Sequence, residues 1–273
     1  MKGEVDLAPT TSGHDVDART IDVDGVPVAL RRTGRGRPLL FLHGAGFTGK
    51  WLRFHEALAR GADVIAPEQP GLGATAPQEW IEDFDDLALH YDALRRTLDL
   101  DAPFDLVGYS LGGWIAARYA TWFPERLRSL TLIVPAGMPV PGKKPVADMF
   151  LMTPEQLFAT LFNDITSAGE VFVDITDNEV IVHLFEEAST VAGLVWERRS
   201  DRKLERRLRR VTCPALVVGA ENDRLVPNEA ADRYVELLPN ARLQRIPGTG
   251  HAIVIEQPEA TAEAIREFQE ALR

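Results

Sequence analysis

Hydrophobic and polar positions follow two rhythms along the chain. Thr20-Ile21-Asp22-Val23 and Val26-Pro27-Val28-Ala29-Leu30 alternate around Asp24-Gly25. That is the pattern of two half-buried strands joined by a two-residue hairpin turn. Pro27 has no N–H to give to a ladder, which suggests an edge position. Farther on, alternation gives way to a continuous apolar run at 38–42, and the largely apolar stretches 63–66, 104–107, 127–134 and 215–218 resemble it. Such runs suit strands covered on both faces. Residues 242–246 read as a further strand. Between the strands, Phe84, Leu87, Leu94 and Leu98 recur near helical spacing within 81–98, and 111–122, 228–238 and 261–272 also read as helices. Strands alternating with helices imply right-handed crossovers, hence an α/β protein with a mostly parallel eight-stranded sheet flanked by helices.

The rhythm breaks between 138 and 210, where no core strand is legible. Pro135, Pro139, Pro141 and Pro145 punctuate the entry. Thr153-Pro154-Glu155-Gln156 reads as a helix start, with Thr as N-cap and Pro in the first turn. Residues 179–185 and 191–196 suggest further helices. We read 138–210 as a helical insertion over the sheet, with 19–137 and 211–273 as the core and 1–18 as a loose polar leader. Arginine and lysine crowd 198–210, but Leu204, Leu208 and Val211 keep helical spacing there. This predicts a solvated helix returning to the sheet, and not a nucleic-acid patch.

Composition narrows the function classes. Of 273 residues, 45% are apolar and 26% charged, with a net charge of −11. So acidic a chain is a poor partner for phosphate backbones. Its single cysteine, Cys213, excludes an intramolecular disulfide and a cysteine-based metal centre within one chain. No histidine pair has the spacing of a metal motif, and no cofactor or metal is expected. No charge-free apolar run approaches the ~20 residues of a membrane helix. The expectation is a cytoplasmic protein, monomer or homodimer, acting on a small molecule.

Chemistry concentrates at three strand ends. Gly108-Tyr109-Ser110-Leu111-Gly112-Gly113 follows a strand and opens a helix, the setting in which G-x-S-x-G is meaningful. The serine must sit on a strained turn whose neighbours leave no room for side chains. A hydroxyl nucleophile needs a base, and the base needs an orienting group. Asp223 lies in a loop beyond the strand at 215–218. His251 follows Pro247-Gly248-Thr249-Gly250 after the last strand. The order Ser110, Asp223, His251 fits an α/β arrangement of a catalytic triad. The turn His43-Gly44-Ala45-Gly46 ends the first parallel strand. Backbone amides of Ala45 and Leu111 are the expected oxyanion donors.

Together, the His43-Gly44 turn, Pro70-Gly71-Leu72-Gly73, the Ser110 elbow, the Asp223 loop and the His251 loop resemble the α/β-hydrolase superfamily, in its capped serine-hydrolase branch. The resemblance runs from about residue 19 to the end and implies the α/β-hydrolase fold. It places 138–210 where capped members carry a helical cap. It implies ester hydrolysis of the carboxylesterase type through an acyl-enzyme. Carbon–carbon bond hydrolysis of a vinylogous diketone, a lyase or a perhydrolase reaction are alternatives on the same fold. One departure stands out: Glu68-Gln69-Pro70-Gly71 occupies the place of a usual Asp-x-Pro-Gly. Serine at 110 argues against dehalogenase and epoxide hydrolase chemistry.

Candidate substrate contacts are His43, Gly44, Trp114, Met138, Phe162, Trp196 and Val226. Phe150, Met152, Leu157, Leu161, Phe172, Phe185 and Val195 are further candidates that could equally form the cap's own core. An apolar pocket of this kind suits a small organic ester. His55 and His90 are read as surface or packing residues, and His183 as a structural cap residue. Two other classes stay in view. Gly44-Ala45-Gly46-Phe47-Thr48-Gly49 matches G-x-G-x-x-G with Glu68 downstream, but a dinucleotide site would leave the triad unexplained. A non-catalytic ligand receptor on the same fold differs from an enzyme only by turnover.

Overall fold

The apolar runs alternate between two faces of one sheet. In a computed structural model that describes residues 16–144, 146–170, 178–197 and 199–272, eight strands are arranged in the order β1-β2-β4-β3-β5-β6-β7-β8. They are β1 (Asp17–Val23), β2 (Val26–Gly34), β3 (Arg37–Leu42), β4 (Ala62–Pro67), β5 (Phe104–Tyr109), β6 (Leu127–Ile133), β7 (Ala215–Ala220) and β8 (Ala241–Ile246). The helices are α1 (Arg53–Ala59), α2 (Phe84–Thr97), α3 (Leu111–Trp122), α4 (Pro154–Leu161), α5 (Asn178–Val195), α6 (Leu204–Arg207), α7 (Asn228–Leu237), α8 (Ile253–Glu256) and α9 (Pro258–Glu270). Strands β3 to β8 pair in parallel, whereas β2 runs antiparallel to β1 and β4. The α/β-hydrolase fold expected from the sequence is the fold observed.

Period-two geometry explains why the central strands are apolar throughout. Leu40, Leu42, Leu106, Leu130, Leu132 and Val217 face one core with α2, α3 and α7. Leu39, Phe41, Val107, Ile133, Leu216 and Val218 face the other with α1, α8 and α9. At the margins the sheet is charged: Asp17 and Arg19 on β1, Arg242 and Arg245 on β8. Charge there discourages edge-to-edge pairing.

Local signals were answered locally. Asp24 and Gly25 both have positive φ, 51° and 88°, as a two-residue hairpin turn requires. Pro27 sits inside β2, yet β4 pairs with β2 only from Leu30 onward, so Pro27 has an open flank. Helix α2 begins at Asp83, whose carboxylate accepts the Asp85 and Asp86 amides. Helix α4 begins with Thr153 and Gln156 bonding each other's backbone, as read from the sequence.

The helical segment differs in detail from the expectation. Residues 178–195 form one continuous helix and not two. The basic stretch is not one solvated helix: α6 spans four residues and passes into a single 3₁₀ turn. Leu204 and Leu208 are fully buried there, and Arg207 bonds Asp85 of α2. Residues 1–15, Pro145, Phe172 and the side chain of His183 lie outside the described residues. Strand β1 already starts at Asp17, within the stretch expected as leader. Among the described residues no helix is long and apolar enough to cross a membrane.

Buried charge lies beneath the strand ends. Arg31 on β2 and Glu68 after β4 form an ion pair at 2.8 Å, both side chains 4% exposed. Glu68 also accepts the Ala74 amide at 2.6 Å. It is therefore a structural tie between the hairpin and the 70–75 turn, and not a ribose ligand. His55 and His90 are both buried. His55 accepts the Leu52 amide at 2.9 Å and stacks on Trp51 with ring centroids 4.9 Å apart.

Two outcomes follow for stability. Glu68→Ala leaves Arg31 buried without its counter-charge and should cost about 3–5 kcal/mol by denaturant unfolding; a loss below about 1 kcal/mol would refute the tie. Burial pushes His55 down to about 3 and His90 to about 4, against an ordinary 6.5. Each stays neutral when folded but takes up a proton near 6.5 when unfolded, so the unfolded chain binds more protons between those values. Stability should be full above pH 6.5 and fall as pH drops toward 4. The slope should flatten in His55→Asn, measured by urea unfolding from pH 7.5 to 4.5; an unchanged slope would remove His55 as a source.

Candidate functional site

Ser110 stands at the junction of β5 and α3, with φ 54° and ψ −112°. A non-glycine residue there carries about 1–3 kcal/mol of strain. The surroundings hold it. The Ser110 amide donates to the Ile133 carbonyl at 2.9 Å, and its carbonyl accepts from Trp114 and Ala136, each at 3.1 Å. Flanking glycines allow the approach. A Cβ on Gly112 would lie 2.1 Å from the Leu42 carbonyl oxygen, one on Gly108 2.3 Å from the Gly112 carbonyl oxygen, and one on Gly113 2.9 Å from Pro135.

From this turn the serine meets the other two strand ends. Ser110 Oγ lies 2.8 Å from His251 Nε2, and His251 Nδ1 lies 2.8 Å from Asp223 Oδ2. A carboxylate accepts only, so Nδ1 carries the proton and Nε2 is left to accept from the serine hydroxyl. The other Asp223 oxygen accepts the Leu225 and Val226 amides, both at 2.9 Å. This pins the carboxylate in the loop after β7. His251 is held from below, because the buried Tyr109 hydroxyl donates to its carbonyl at 3.0 Å. Burial raises Tyr109 well above the ordinary phenol value, so it stays a donor. From the side, the Ala252 amide donates to the Leu161 carbonyl at the end of α4, at 2.8 Å. Glu256 accepts the amides of Gly250, Asn163 and Asp164. The line can move a proton from Ser110 to His251 with Asp223 orienting the imidazole.

The turn at 43–46 lies against the serine. A Cβ on Gly44 would meet the Tyr109 ring at 2.9 Å and Ser110 Cβ at 3.2 Å, so only bare backbone fits. Ala45 and Leu111 both face the cavity above Ser110. Leu111 is the first residue of α3, where an amide has no intrahelical acceptor and the helix favours negative charge. His43 lies underneath, not in the cavity. Its Nε2 accepts the Gln69 amide at 3.1 Å, its carbonyl accepts from the Gln69 side chain, and burial lowers its pKa.

The cavity measures about 520 Å³, within the usual range for small-ligand sites. Its walls are mostly apolar. The expected contacts Trp114 and Val226 line it, as do Phe150, Met152, Leu157, Leu161, Phe185 and Val195. Five expected contacts do not: His43 and Gly44 lie in the turn beneath it, and Met138, Phe162 and Trp196 lie elsewhere. Met138 and Phe162 are each 1% exposed and packed into the cores. Trp196 is 61% exposed and leans on Phe150 from outside. Sequence reasoning missed Tyr109, Phe47, Glu187 and Arg199, which also line the cavity. Tyr109 stood inside the elbow motif and was legible. Glu187 and Arg199 carried no signal, since only docking of the helical segment brings them in. Arg199 is paired with Asp148 at 2.8 Å.

Comparison with known proteins finds hydrolases among the relatives of this chain. The chain is 28% identical over 262 residues to a 2-hydroxy-6-oxo-6-(2'-aminophenyl)hexa-2,4-dienoic acid hydrolase of Metapseudomonas resinovorans, covering 92% of this chain and 90% of that one. It is 29% identical over 253 residues to a pimeloyl-[acyl-carrier protein] methyl ester esterase of Nitrosomonas europaea, covering 85% and 95%. A crystal structure of a membrane phospholipase A superimposes with TM-score 0.80 at 24% identity, over 94% and 87% of the chains, a likeness of fold. The model of the Alpha/beta hydrolase family matches residues 39–264, and the chain belongs to that family.

Proposed function

We propose that the protein is a serine hydrolase that cleaves a small, largely apolar carboxylic ester. The observation that carries this reading is the Ser110–His251–Asp223 line, 2.8 Å at each step, opening into a mostly apolar cavity. In the mechanism, Nε2 of His251 takes the Ser110 proton as Oγ attacks the ester carbonyl. The amides of Ala45 and Leu111 stabilise the resulting oxyanion. His251 returns the proton to the leaving alkoxide, leaving an acyl-enzyme, and then activates water to release the acid. Asp223 orients the imidazole and stabilises its charged form. Residues 138–210 serve as a cap whose helices α4 and α5 wall the acyl site. The esterase relative supports the reaction class.

A carbon–carbon hydrolase reading has one specific support, the cationic Arg199 in the cavity wall, which could meet a substrate carboxylate. The relative from Metapseudomonas acts, by its name, on a dienoic acid. The pairing of Arg199 with Asp148 weighs against it, because a second carboxylate would have to displace the first. A neutral ester meets no such competition.

The test is hydrolysis of p-nitrophenyl acetate, butyrate and octanoate. Ser110→Ala and His251→Ala should each lower kcat by at least ~10³-fold with the fold intact. Activity shared by the serine variant would refute the triad. A parent that leaves all three esters intact but cleaves a vinylogous diketone acid would favour the carbon–carbon reading. Pocket size can be tested separately. Val191→Phe fills the cavity from α5 and should shift kcat/KM toward acetate over octanoate by about tenfold or more; an unchanged ratio would mean the acyl chain lies elsewhere.

A further inference from the structure

We infer that Glu187 is a positioning residue: from α5 it holds the turn carrying the Ala45 amide, so that docking of the helical segment sets the oxyanion-binding geometry. What the turn does rests on the serine-hydrolase reading, whereas the strut itself rests on geometry alone.

The burial of Glu187 needs an explanation. Its side chain is 4% exposed, while Phe185, Glu186, Ala188 and Ser189 around it on α5 are exposed. Taking a carboxylate out of water costs several kcal/mol unless bonds and charge offset it. The offset comes from the core domain. Oε2 accepts the Gly46 amide at 2.9 Å, and the Lys50 ammonium lies within Coulombic reach. Residue 187 is 141 positions away from residue 46 in sequence, so this contact exists only when α5 is docked.

The turn needs such a holder. Gly46 has φ 79°, in the region that favours glycine, and Gly49 follows with φ 67°. The turn's own closing bond, from the Phe47 amide to the Gly44 carbonyl, is long at 3.3 Å. A glycine-rich turn gives up about 1–2 kcal/mol of backbone freedom per residue when fixed. An oxyanion donor acts only if it is aimed before the charge develops. Gly46 adjoins Ala45, so fixing the Gly46 amide fixes the peptide next to that donor. One turn farther along α5, Thr190 Oγ1 donates to the Gly71 carbonyl at 2.8 Å, and a Cβ on Gly71 would lie 2.7 Å from Thr190 Cγ2. Helix α5 therefore grips both glycine turns from one face.

The sign of the charge identifies the useful part of the side chain. A carboxylate beside a developing oxyanion opposes it, and Lys50 offsets that effect. The acceptor oxygen is what the turn uses. Glutamine retains an acceptor at the same reach, whereas alanine and the length-matched methionine do not.

The experiment compares Glu187→Gln, Glu187→Ala and Glu187→Met in the full chain, with a thermal melt to confirm folding. Alanine and methionine should lower kcat for p-nitrophenyl butyrate about 10- to 100-fold, with KM within about twofold. Affinity for a trifluoromethyl ketone, which forms a tetrahedral oxyanion on the serine, should fall in the same proportion. Glutamine should stay within about threefold of the parent on both measures. Hydrogen exchange in the peptide spanning 43–50 should quicken roughly tenfold for alanine and methionine and not for glutamine. Parent-like kcat and exchange in the methionine variant would overturn the strut. Glutamine falling as far as methionine would overturn it too, by making charge the point. Full activity in Ser110→Ala would defeat the serine-hydrolase reading instead, and the exchange measurement would still decide whether Glu187 holds the turn.

Discussion

The close approach of β3, β5 and α3 at the serine elbow is the constraint on which the rest of the site depends. Gly112 lies so near the Leu42 carbonyl that no side chain fits between them. That contact sets the first turn of α3 against the end of β3, and Ser110 then has to take a left-handed backbone conformation. The strain is tolerable because both peptide groups of Ser110 are bonded to β6 and its exit, through Ile133 and Ala136. Without the sheet no local sequence would hold this geometry. With it, one hydroxyl stands above the strand ends, where the loops after β7 and β8 can reach it.

Charge is distributed to protect this arrangement. Besides the charges that line the cavity, several buried ion pairs lie around the site. Arg31 and Glu68 tie the hairpin to the turn at 70–75. Arg118 of α3 bonds Asp85 of α2 and Asp201 near α6, which fixes the elbow helix from its far side. Arg128 and Ser129 bond Asp105 at the opposite end of β5. Each pair joins elements distant in sequence, so each adds register where hydrophobic packing alone would allow sliding. The cavity is left mostly apolar, and few water molecules would compete there for the amides beside Ser110.

The legibility of each feature followed its range. Strands were visible because a parallel sheet buried on both faces writes an apolar run into the chain. The hairpin was visible because Asp24-Gly25 supplies two positive φ angles in adjacent residues. The positions of Ser110, Asp223 and His251 at strand ends were visible because glycine marks the places where backbone must come close. The cavity wall was only half visible. Phe150, Leu157 and Val195 reach it while Met138 and Phe162 turn into the cores, and hydrophobicity alone cannot separate those outcomes. Glu187 was not visible at all, because a single carboxylate in an amphipathic helix reads as surface until its partner 141 residues away is known. Glu68, puzzling in sequence as the longer homologue of aspartate, became intelligible once Arg31 was seen opposite it.

The end of α4 and the His251 loop share a seam. The Leu161 carbonyl accepts the Ala252 amide, Glu256 gathers the amides of Asn163, Asp164 and Gly250, and a Cβ on Gly250 would strike Leu161 and Asn163 backbone. The helical segment and the histidine loop are thus cut to fit each other. Grafting a relative's segment onto this core to borrow its selectivity would carry a foreign 161–164 backbone against an unchanged 250–256 loop. Such chimeras would have to exchange both pieces together.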